Sequence, residues 1–187
     1  MTEDPIGSIA MIVGVVLAIF VMIAIARAVR IVPQSEAYVV ERLGRFRSVL
    51  HGGIHLLVPF VDRVAARIDL REQVVNFPSQ SVITADQAMV EIDSVIYFQI
   101  TDPRSATYEV ANFLQAIEQL TATTLRNLIG SLDLEETQTS RESINKQLRG
   151  VLDEATGPWG IRVTRVELKS IEPPPNVLSA MVQQITA

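Results

Sequence analysis

The residues with the clearest chemical potential are two histidines, His51 and His55. Residues four apart can place two metal ligands on one face of a helix. Gly52, Gly53 and Pro59 disfavour a helix in this segment, and no acidic third ligand is close by in the sequence. The pattern therefore favours two loop or interface histidines over a metal site.

Nucleophilic chemistry has equally little support. The chain has no cysteine and no Gly-x-Ser-x-Gly motif, the turn that exposes a hydrolase serine. Lys146 or Lys169 beside a serine would make a Ser-Lys dyad, but lysines on helices and strands are ordinarily solvated. Gly44, Gly52 and Gly53 lack the spacing of a dinucleotide or phosphate loop. We therefore predict no catalytic residues, no cofactor and no metal.

Composition and charge narrow the remaining classes of protein. The chain has 187 residues, enough for one compact domain and an anchor. Its net charge is −5 and its basic residues are scattered, which argues against nucleic-acid binding through phosphate contacts. Hydrophobic residues make up 48 %, but the excess lies at the N-terminus. This distribution indicates a membrane segment followed by ordinary globular sequence.

The apolar stretch at residues 6–26 contains no charged residue. As a helix it would be about 31 Å long, which matches a hydrocarbon core of roughly 30 Å. A cleaved signal peptide is the alternative, because Ala24-Ile25-Ala26 resembles a cleavage site, but the apolar run is too long and acidic residues precede it. We therefore predict one transmembrane helix. Its membrane-spanning residues include Ile6, Ile9, Ile12, Val16, Ile19, Phe20, Ile23 and Ala26.

Positive charge follows this stretch and does not precede it. The residues concerned are Arg27, Arg30, Arg42, Arg45 and Arg47. By the positive-inside rule, the chain is predicted to be a single-pass protein of the cell membrane with its soluble part in the cytoplasm. The lipid bilayer is thus its first predicted partner.

A second apolar segment, residues 56–61, is much too short to cross a bilayer. Two interpretations have equal weight: a loop that dips into the membrane interface, and a buried loop that packs on the sheet. The residues available for the interface are Ile54, Leu56, Leu57, Val58, Pro59 and Phe60.

Alternating polar and apolar residues predict the sheet. A first strand is expected near residues 37–42, another at residues 63–69, and the strongest at residues 90–100. Residues 73–84 are also extended, and the polar tip that follows predicts an antiparallel hairpin. Asp102-Pro103 should end the strand.

Two helices are predicted next. Asn112 caps the first, with Gln115 three residues on, and Gly130 ends it. Thr139 and Glu142 are expected to form a capping box for the second. The predicted buried residues are Phe113, Ile117, Leu120 and Leu128 in the first helix and Ile144, Leu148, Leu152 and Ala155 in the second.

Residues 161–171 predict a closing strand, with a bulge where the alternation changes phase between Val163 and Val166. Strands, then helices, then a strand indicate an α+β fold with an antiparallel sheet and covering helices. Three prolines follow, and then a helical repeat that reaches Ala187 without a C-capping signal, so we expect a longer helix. The repeating residues are Val177, Leu178, Met181 and Ile185.

A series of motifs runs from about residue 31 to the end of the sequence. Residues 32–46 open it, and residues 53–62 form a loop with Gly53, Pro59 and Asp62. Later landmarks are residues 69–72, 102–103, 125–130, 159–161 and 171–174. In this order they resemble the stomatin/prohibitin family, also called SPFH or Band 7, and above all its bacterial stomatin-like branch.

The resemblance implies a non-enzymatic scaffold that oligomerises into a large ring or cage on the membrane. Such an assembly would organise membrane microdomains and regulate membrane-protein quality control. Residues 53–61 would rest in the membrane interface, and Val177, Leu178, Met181 and Ile185 would begin an oligomerisation helix. The implied partners are further copies of the chain and an NfeD-like membrane protein or a membrane AAA protease.

The same resemblance divides the chain into an anchor at residues 1–30, an SPFH/Band 7 domain at residues 31–172, and a proline break with the start of the oligomerisation helix at residues 173–187. Animal stomatins carry lipidated cysteines, whereas this chain has none, so its anchoring must depend on protein alone. Two alternatives stay open: a membrane-bound serine protease, and a simple regulatory subunit of a membrane protease.

Overall fold

The computed structural model describes residues 5–172, with side chains described for residues 11–169. It divides into two compact units, Met1–Asp69 and Leu70–Ala187. The predicted oligomerisation residues Val177, Leu178, Met181 and Ile185 lie outside the described residues, as do the side chains of Ile6 and Ile9.

The first unit begins with helix α1, Pro5–Ala28. Within it, Met11–Ala28 is long and apolar enough to cross a membrane, and none of that stretch is buried against the rest of the protein. A core helix of a soluble protein would be covered on most sides. Strand β1, Val29–Val32, follows α1 without an intervening residue. The helix therefore agrees with the predicted anchor and continues two residues beyond it.

Two small antiparallel sheets complete the first unit. Strand β2, Glu36–Arg42, lies between β3, Arg45–Leu50, and β5, Asp62–Asp69. Strand β4, Gly53–Leu56, pairs with β1. The strands expected near residues 37–42 and 63–69 are confirmed as β2 and β5. Strands β1, β3 and β4 were not predicted.

The second unit has one antiparallel sheet of three strands in the order β6, β7, β8: Gln73–Ile83, Met89–Ile100 and Ile161–Glu172. Alternate residues of β7 are buried, as its sequence predicts. The turn between β6 and β7 is closed by a 2.9 Å hydrogen bond from the Thr84 amide to the Ala88 carbonyl oxygen. The predicted hairpin is therefore confirmed.

The predicted bulge in the closing strand is also confirmed. Opposite the adjacent residues Tyr97 and Phe98, the partners on β8 are Arg165 and Val163, so Thr164 is the extra residue. This one inserted residue explains why the alternation of apolar residues changes phase in the sequence.

Four helices and one short 3₁₀ turn lie between β7 and β8. They are α2, Pro103–Tyr108; α3, Phe113–Ile129; α4, Leu134–Thr139; α5, Arg141–Thr156; and the turn Gly157–Trp159. The two long helices, α3 and α5, are the predicted pair. The two six-residue helices were not predicted, because each is too short to show a helical repeat of apolar residues.

The predicted start of α3 is correct: the Asn112 side chain accepts a 3.2 Å hydrogen bond from the Gln115 amide. The capping box predicted for α5 is wrong. Thr139 lies inside α4, where its hydroxyl donates to the Glu135 carbonyl oxygen. The structure instead forms a capping box at Asp133 and Glu136, which fit the same spacing six residues earlier.

The buried faces of the two long helices are close to the predicted ones. In α3, Ile117 is buried as expected, but Leu120 and Leu128 are half-buried while Thr121, Leu125 and Ile129 are buried. In α5, Ile144, Leu148 and Leu152 are buried as expected, but Thr156 is buried in place of Ala155. The Thr156 hydroxyl is accommodated there because it donates to the Ile161 carbonyl oxygen at 3.1 Å.

Candidate membrane-contacting site

The segment made of strand β4 and its connection to β5, residues 53–61, which we call the loop, exposes most of its large apolar side chains. Leu57 is buried and Pro59 half-buried, whereas Ile54, Leu56 and Phe60 are each about three-quarters exposed. A loop that packed on the sheet would bury these side chains, so that alternative does not hold for them. Exposed apolar side chains this close together are typical of a surface that meets a membrane or another protein.

The tip of this loop lies against the apolar helix. The ring of Phe60 stacks on the ring of Phe20, with centroids 6.1 Å apart and planes 5° from parallel. Phe20 is about 12 Å along the helix axis from Ala28, where α1 ends. The loop therefore reaches back beside the stretch that is long enough to span a membrane.

The backbone of the loop finds partners within the protein. The Leu57 amide donates to the Ala28 carbonyl oxygen at 2.8 Å. The Val58 amide donates to Oδ2 of Asp62 at 2.8 Å, and Pro59 has no amide hydrogen. Backbone that meets hydrocarbon must be satisfied internally, because no water is available there. The loop meets this condition at these positions.

Asp62 is the centre of the loop's polar contacts. Its Oδ1 accepts from Nε of Arg42 at 2.6 Å, and its Oδ2 accepts from Nη1 of Arg47 at 2.8 Å. Burial raises the pKa of this carboxyl, but the hydrogen bonds from Arg42 and the Val58 amide outweigh it and hold the pKa below its ordinary value. The ionised carboxylate thus ties the loop to strands β2 and β3.

The role of Asp62 was not predicted, although the residue belongs to the loop motif. Its arginine partners are 20 and 15 residues earlier in the sequence. In the sequence, Asp62 is visible only as one acidic residue just after an apolar segment. That pattern does not identify its hydrogen-bond partners.

Phe60 has a backbone φ of +70°, a conformation that side chains other than glycine rarely adopt. Such a conformation costs about 1 to 3 kcal/mol and persists where the surroundings hold it. Here the stacking on Phe20 and the turn closed by Asp62 flank the strained residue. The strain fixes the direction in which the ring projects.

The two histidines lie at the edge of the same segment. Nε2 of His55 lies 2.6 Å from the backbone oxygen of His51 and donates to it. In the described part of the chain, no group of three or more His, Cys, Asp or Glu residues could hold a metal ion. The pair therefore acts as a local contact in the loop.

The lysines considered for a Ser-Lys dyad lie in the second unit, and both are exposed. Lys169 lines a cavity of about 160 Å³ with Ser94, whose buried hydroxyl has no hydrogen-bond partner in the described structure. Ligand sites usually have volumes of about 300 to 1,000 Å³. The volume of this cavity lies below that range.

A sequence profile described as SPFH domain / Band 7 family matches residues 30–187. The chain belongs to this family. The resemblance found in the motifs is thereby confirmed, and the α+β fold with its apolar N-terminal helix agrees with it. Family membership and the apolar helix indicate membrane association and a scaffold-like role. SPFH proteins are generally non-enzymatic and commonly oligomerise.

Similar proteins come from bacteria, archaea and animals. An uncharacterized protein of Mycobacterium tuberculosis is 57 % identical over 172 residues, 92 % of this chain and 45 % of the relative. A stomatin homolog of Pyrococcus horikoshii is 39 % identical over 172 residues, 92 % of this chain and 64 % of the relative. The mitochondrial stomatin-like protein 2 of Bos taurus is 42 % identical over 156 residues, 83 % of this chain and 44 % of the relative. The chain thus spans about half the length of these relatives.

Proposed function

We propose that the chain is one subunit of a non-enzymatic scaffold that assembles into a large ring or cage on the membrane. Helix α1 anchors each copy in the cell membrane, and the remainder lies on the cytoplasmic side. The residues Val177, Leu178, Met181 and Ile185 begin the helix that joins neighbouring copies. The assembly marks off a microdomain and contributes to membrane-protein quality control through an NfeD-like membrane protein or a membrane AAA protease.

The stack of Phe60 on Phe20 is the observation that carries the proposal. If α1 crosses the bilayer, a ring packed about 12 Å inside its end must itself lie among lipid. The exposed Ile54 and Leu56 precede it on the same segment. Each subunit then contacts the membrane twice, through the helix and through the loop, and a ring of such subunits would form a continuous boundary in one leaflet.

The depth of the loop can be measured by fluorescence. Trp159 is the single tryptophan, so Phe60→Trp combined with Trp159→Phe places one emitter at the loop tip. In vesicles, lipids with brominated acyl chains should quench this emitter, while the unmodified chain, which emits from Trp159, should respond to aqueous iodide. Equal quenching of both emitters by iodide would place the loop in water.

The size of the assembly tests the scaffold itself. The full-length protein in mild detergent should form particles of many subunits, and Leu178→Glu with Met181→Glu should reduce their size. Ser179→Glu and Gln183→Glu place the same charges in the same segment, at helical positions opposite the apolar repeat, and should leave the size unchanged. A monomeric full-length protein would contradict the proposal.

Crosslinking in native membranes separates the scaffold from a regulatory subunit. A scaffold gives mainly contacts between copies of itself in a closed series, whereas a subunit of a membrane protease gives mainly contacts to that protease.

A further inference from the structure

A groove of about 670 Å³ opens in the first unit, between the end of α1, strand β1, the loop and strand β5. Four arginines line it: Arg27, Arg30, Arg63 and Arg67. All four are exposed. They belong to three different elements, α1, β1 and β5. The fold, and not a cluster of basic residues in the sequence, brings their charges together.

The residues that line the groove include more cations than anions. In the described part of the chain, no carboxylate forms an ion pair with any of the four arginines. Arg67 lies over the ring of Tyr38, 5.2 Å from its centroid. The one acidic residue on the groove, Asp62, is already bound by two other arginines. The groove therefore has a surplus of cations that a bound anion would neutralise.

The remaining surface of the groove is apolar. Its walls include Val29 of β1 and Val58, Pro59 and Phe60 of the loop. A site with several arginines beside apolar side chains suits a molecule with an anionic head and a hydrophobic body. Guanidinium groups bind phosphate oxygens through paired hydrogen bonds. A small soluble phosphate would leave the apolar wall without a partner.

The position of the groove favours a lipid. Arg27 is in the last turn of α1, where the apolar stretch ends and lipid headgroups would begin. We propose that the groove binds the phosphate of an anionic phospholipid from the leaflet on this side of the membrane. This inference rests on the proposed placement of α1 across the bilayer and of the loop at its surface, and it assigns a lipid preference to that surface.

The test compares lipid retention by the full-length protein. Nanodiscs are prepared from phosphatidylcholine mixed with phosphatidylglycerol, the protein is extracted in mild detergent, and the bound lipids are counted by mass spectrometry. Phosphatidylglycerol should be enriched over its share of the mixture. Each arginine near a lipid surface contributes about fivefold in affinity, so Arg30→Gln with Arg63→Gln should weaken retention by about 25-fold.

The control places the same two charge changes outside the groove. Arg45 and Arg126 are exposed and do not line it, so Arg45→Gln with Arg126→Gln should retain the lipid. The side chains of Arg30 and Arg63 make no hydrogen bond or ion pair in the described structure, so their replacement should leave the fold intact, as far-UV circular dichroism would show. Equal losses in the two double variants would overturn the inference, because they would indicate attraction by net charge alone.

Inorganic phosphate distinguishes the two sources of the anion. Added to the detergent-extracted protein, it should fail to displace phosphatidylglycerol. Displacement at millimolar concentration would show a site for soluble phosphate and would overturn the lipid assignment. Particle size, measured on the same samples, separates this proposal from that of the scaffold. Large particles without lipid enrichment would contradict only lipid binding in the groove. Monomers with lipid enrichment would contradict only the scaffold.

Discussion

The two units of this chain differ in how their largest apolar side chains are covered. In the second unit, large apolar side chains such as Phe98, Ile117 and Leu148 are buried between a sheet and helices. In the first unit, Phe60 and Leu56 project outward, and the helix that could cover them is itself uncovered. The second unit completes its own core. The exposed apolar side chains of the first unit need a partner outside the unit, and we propose that this partner is the bilayer.

Two phenylalanines give the largest expected contrast between the units. Phe98 is buried and meets Phe113 edge to face at 5.8 Å, so Phe98→Ala should lower the free energy of unfolding by about 3 to 5 kcal/mol. Phe60→Ala should lower it by about 1 kcal/mol or less, because the ring is three-quarters exposed and loses only its stack on Phe20. Denaturant unfolding in detergent measures both, when Trp159 fluorescence follows the second unit and far-UV circular dichroism follows the whole chain. Similar losses of unfolding free energy in Phe98→Ala and Phe60→Ala would contradict the expected difference between the two units.

Backbone packing in the second unit gives the next effect. Gly160 has a φ of +68°, and a Cβ there would lie 2.5 Å from the Asp102 carbonyl oxygen. Gly160→Ala should therefore cost about 2 to 4 kcal/mol, from overpacking and backbone strain together. Gly150 is the matched control, because it lies inside α5 with open space around it, and Gly150→Ala should stabilise by about 0.5 to 1 kcal/mol. The same unfolding assay reports both variants. A destabilised Gly150→Ala would show that a methyl group at this position meets a neighbouring group.

The Asp62 contacts predict a local effect in the first unit. Asp62→Asn removes the charge that Arg42 and Arg47 share and weakens the bond from the Val58 amide. Hydrogen exchange at Val58 should accelerate, and the Phe60→Trp emitter should become less accessible to brominated lipid. Unfolding of the second unit should not change. Asp86→Asn, in the β6–β7 turn, is the control, and it should leave Val58 exchange as it was.

Acid should reproduce that local effect without a substitution. The pKa of Asp62 lies below its ordinary value of 3.8, so ionisation stabilises the loop above that value and the stabilisation is lost as the pH falls through the lowered pKa. Quenching of the Phe60→Trp emitter should hold from neutral pH down to about pH 4 and decline below it. The Asp62→Asn variant should show no such step, and a step that persists in it would assign the transition to another group.

Long periodic segments were predicted well because their signal repeats. Strand β7 alternates over 12 residues, and α3 combines a cap at Asn112 with an apolar face. The bulge near Thr164 was visible for the same reason, since a regular pattern shows where it is interrupted. The capping box predicted at Thr139 failed because Asp133 and Glu136 start a separate short helix, α4, which includes Thr139.

The first unit was predicted less completely because its structure depends on distant pairs. Strands β1 and β4 have four residues each and are joined by the pairing of Val29 with Leu56, far apart in the chain. The arginine groove also depends on residues far apart in the sequence. Arg27 and Arg63 belong to separate segments, and only the fold brings them to one surface. The sequence identified the loop residues but not the direction of their side chains.

The junction of α1 and β1 has a mechanical consequence. The apolar stretch of α1 is about 31 Å long, so it leans in a bilayer whose hydrocarbon core is thinner than that. No residue separates Ala28 from Val29, and the Leu57 amide ties β4 to the same point, so the strand pair must follow the helix as it leans. A thinner bilayer increases the angle and a thicker one reduces it. With α1 placed across the bilayer as proposed, the junction thus couples the tilt of the helix to the orientation of the β1–β4 strand pair.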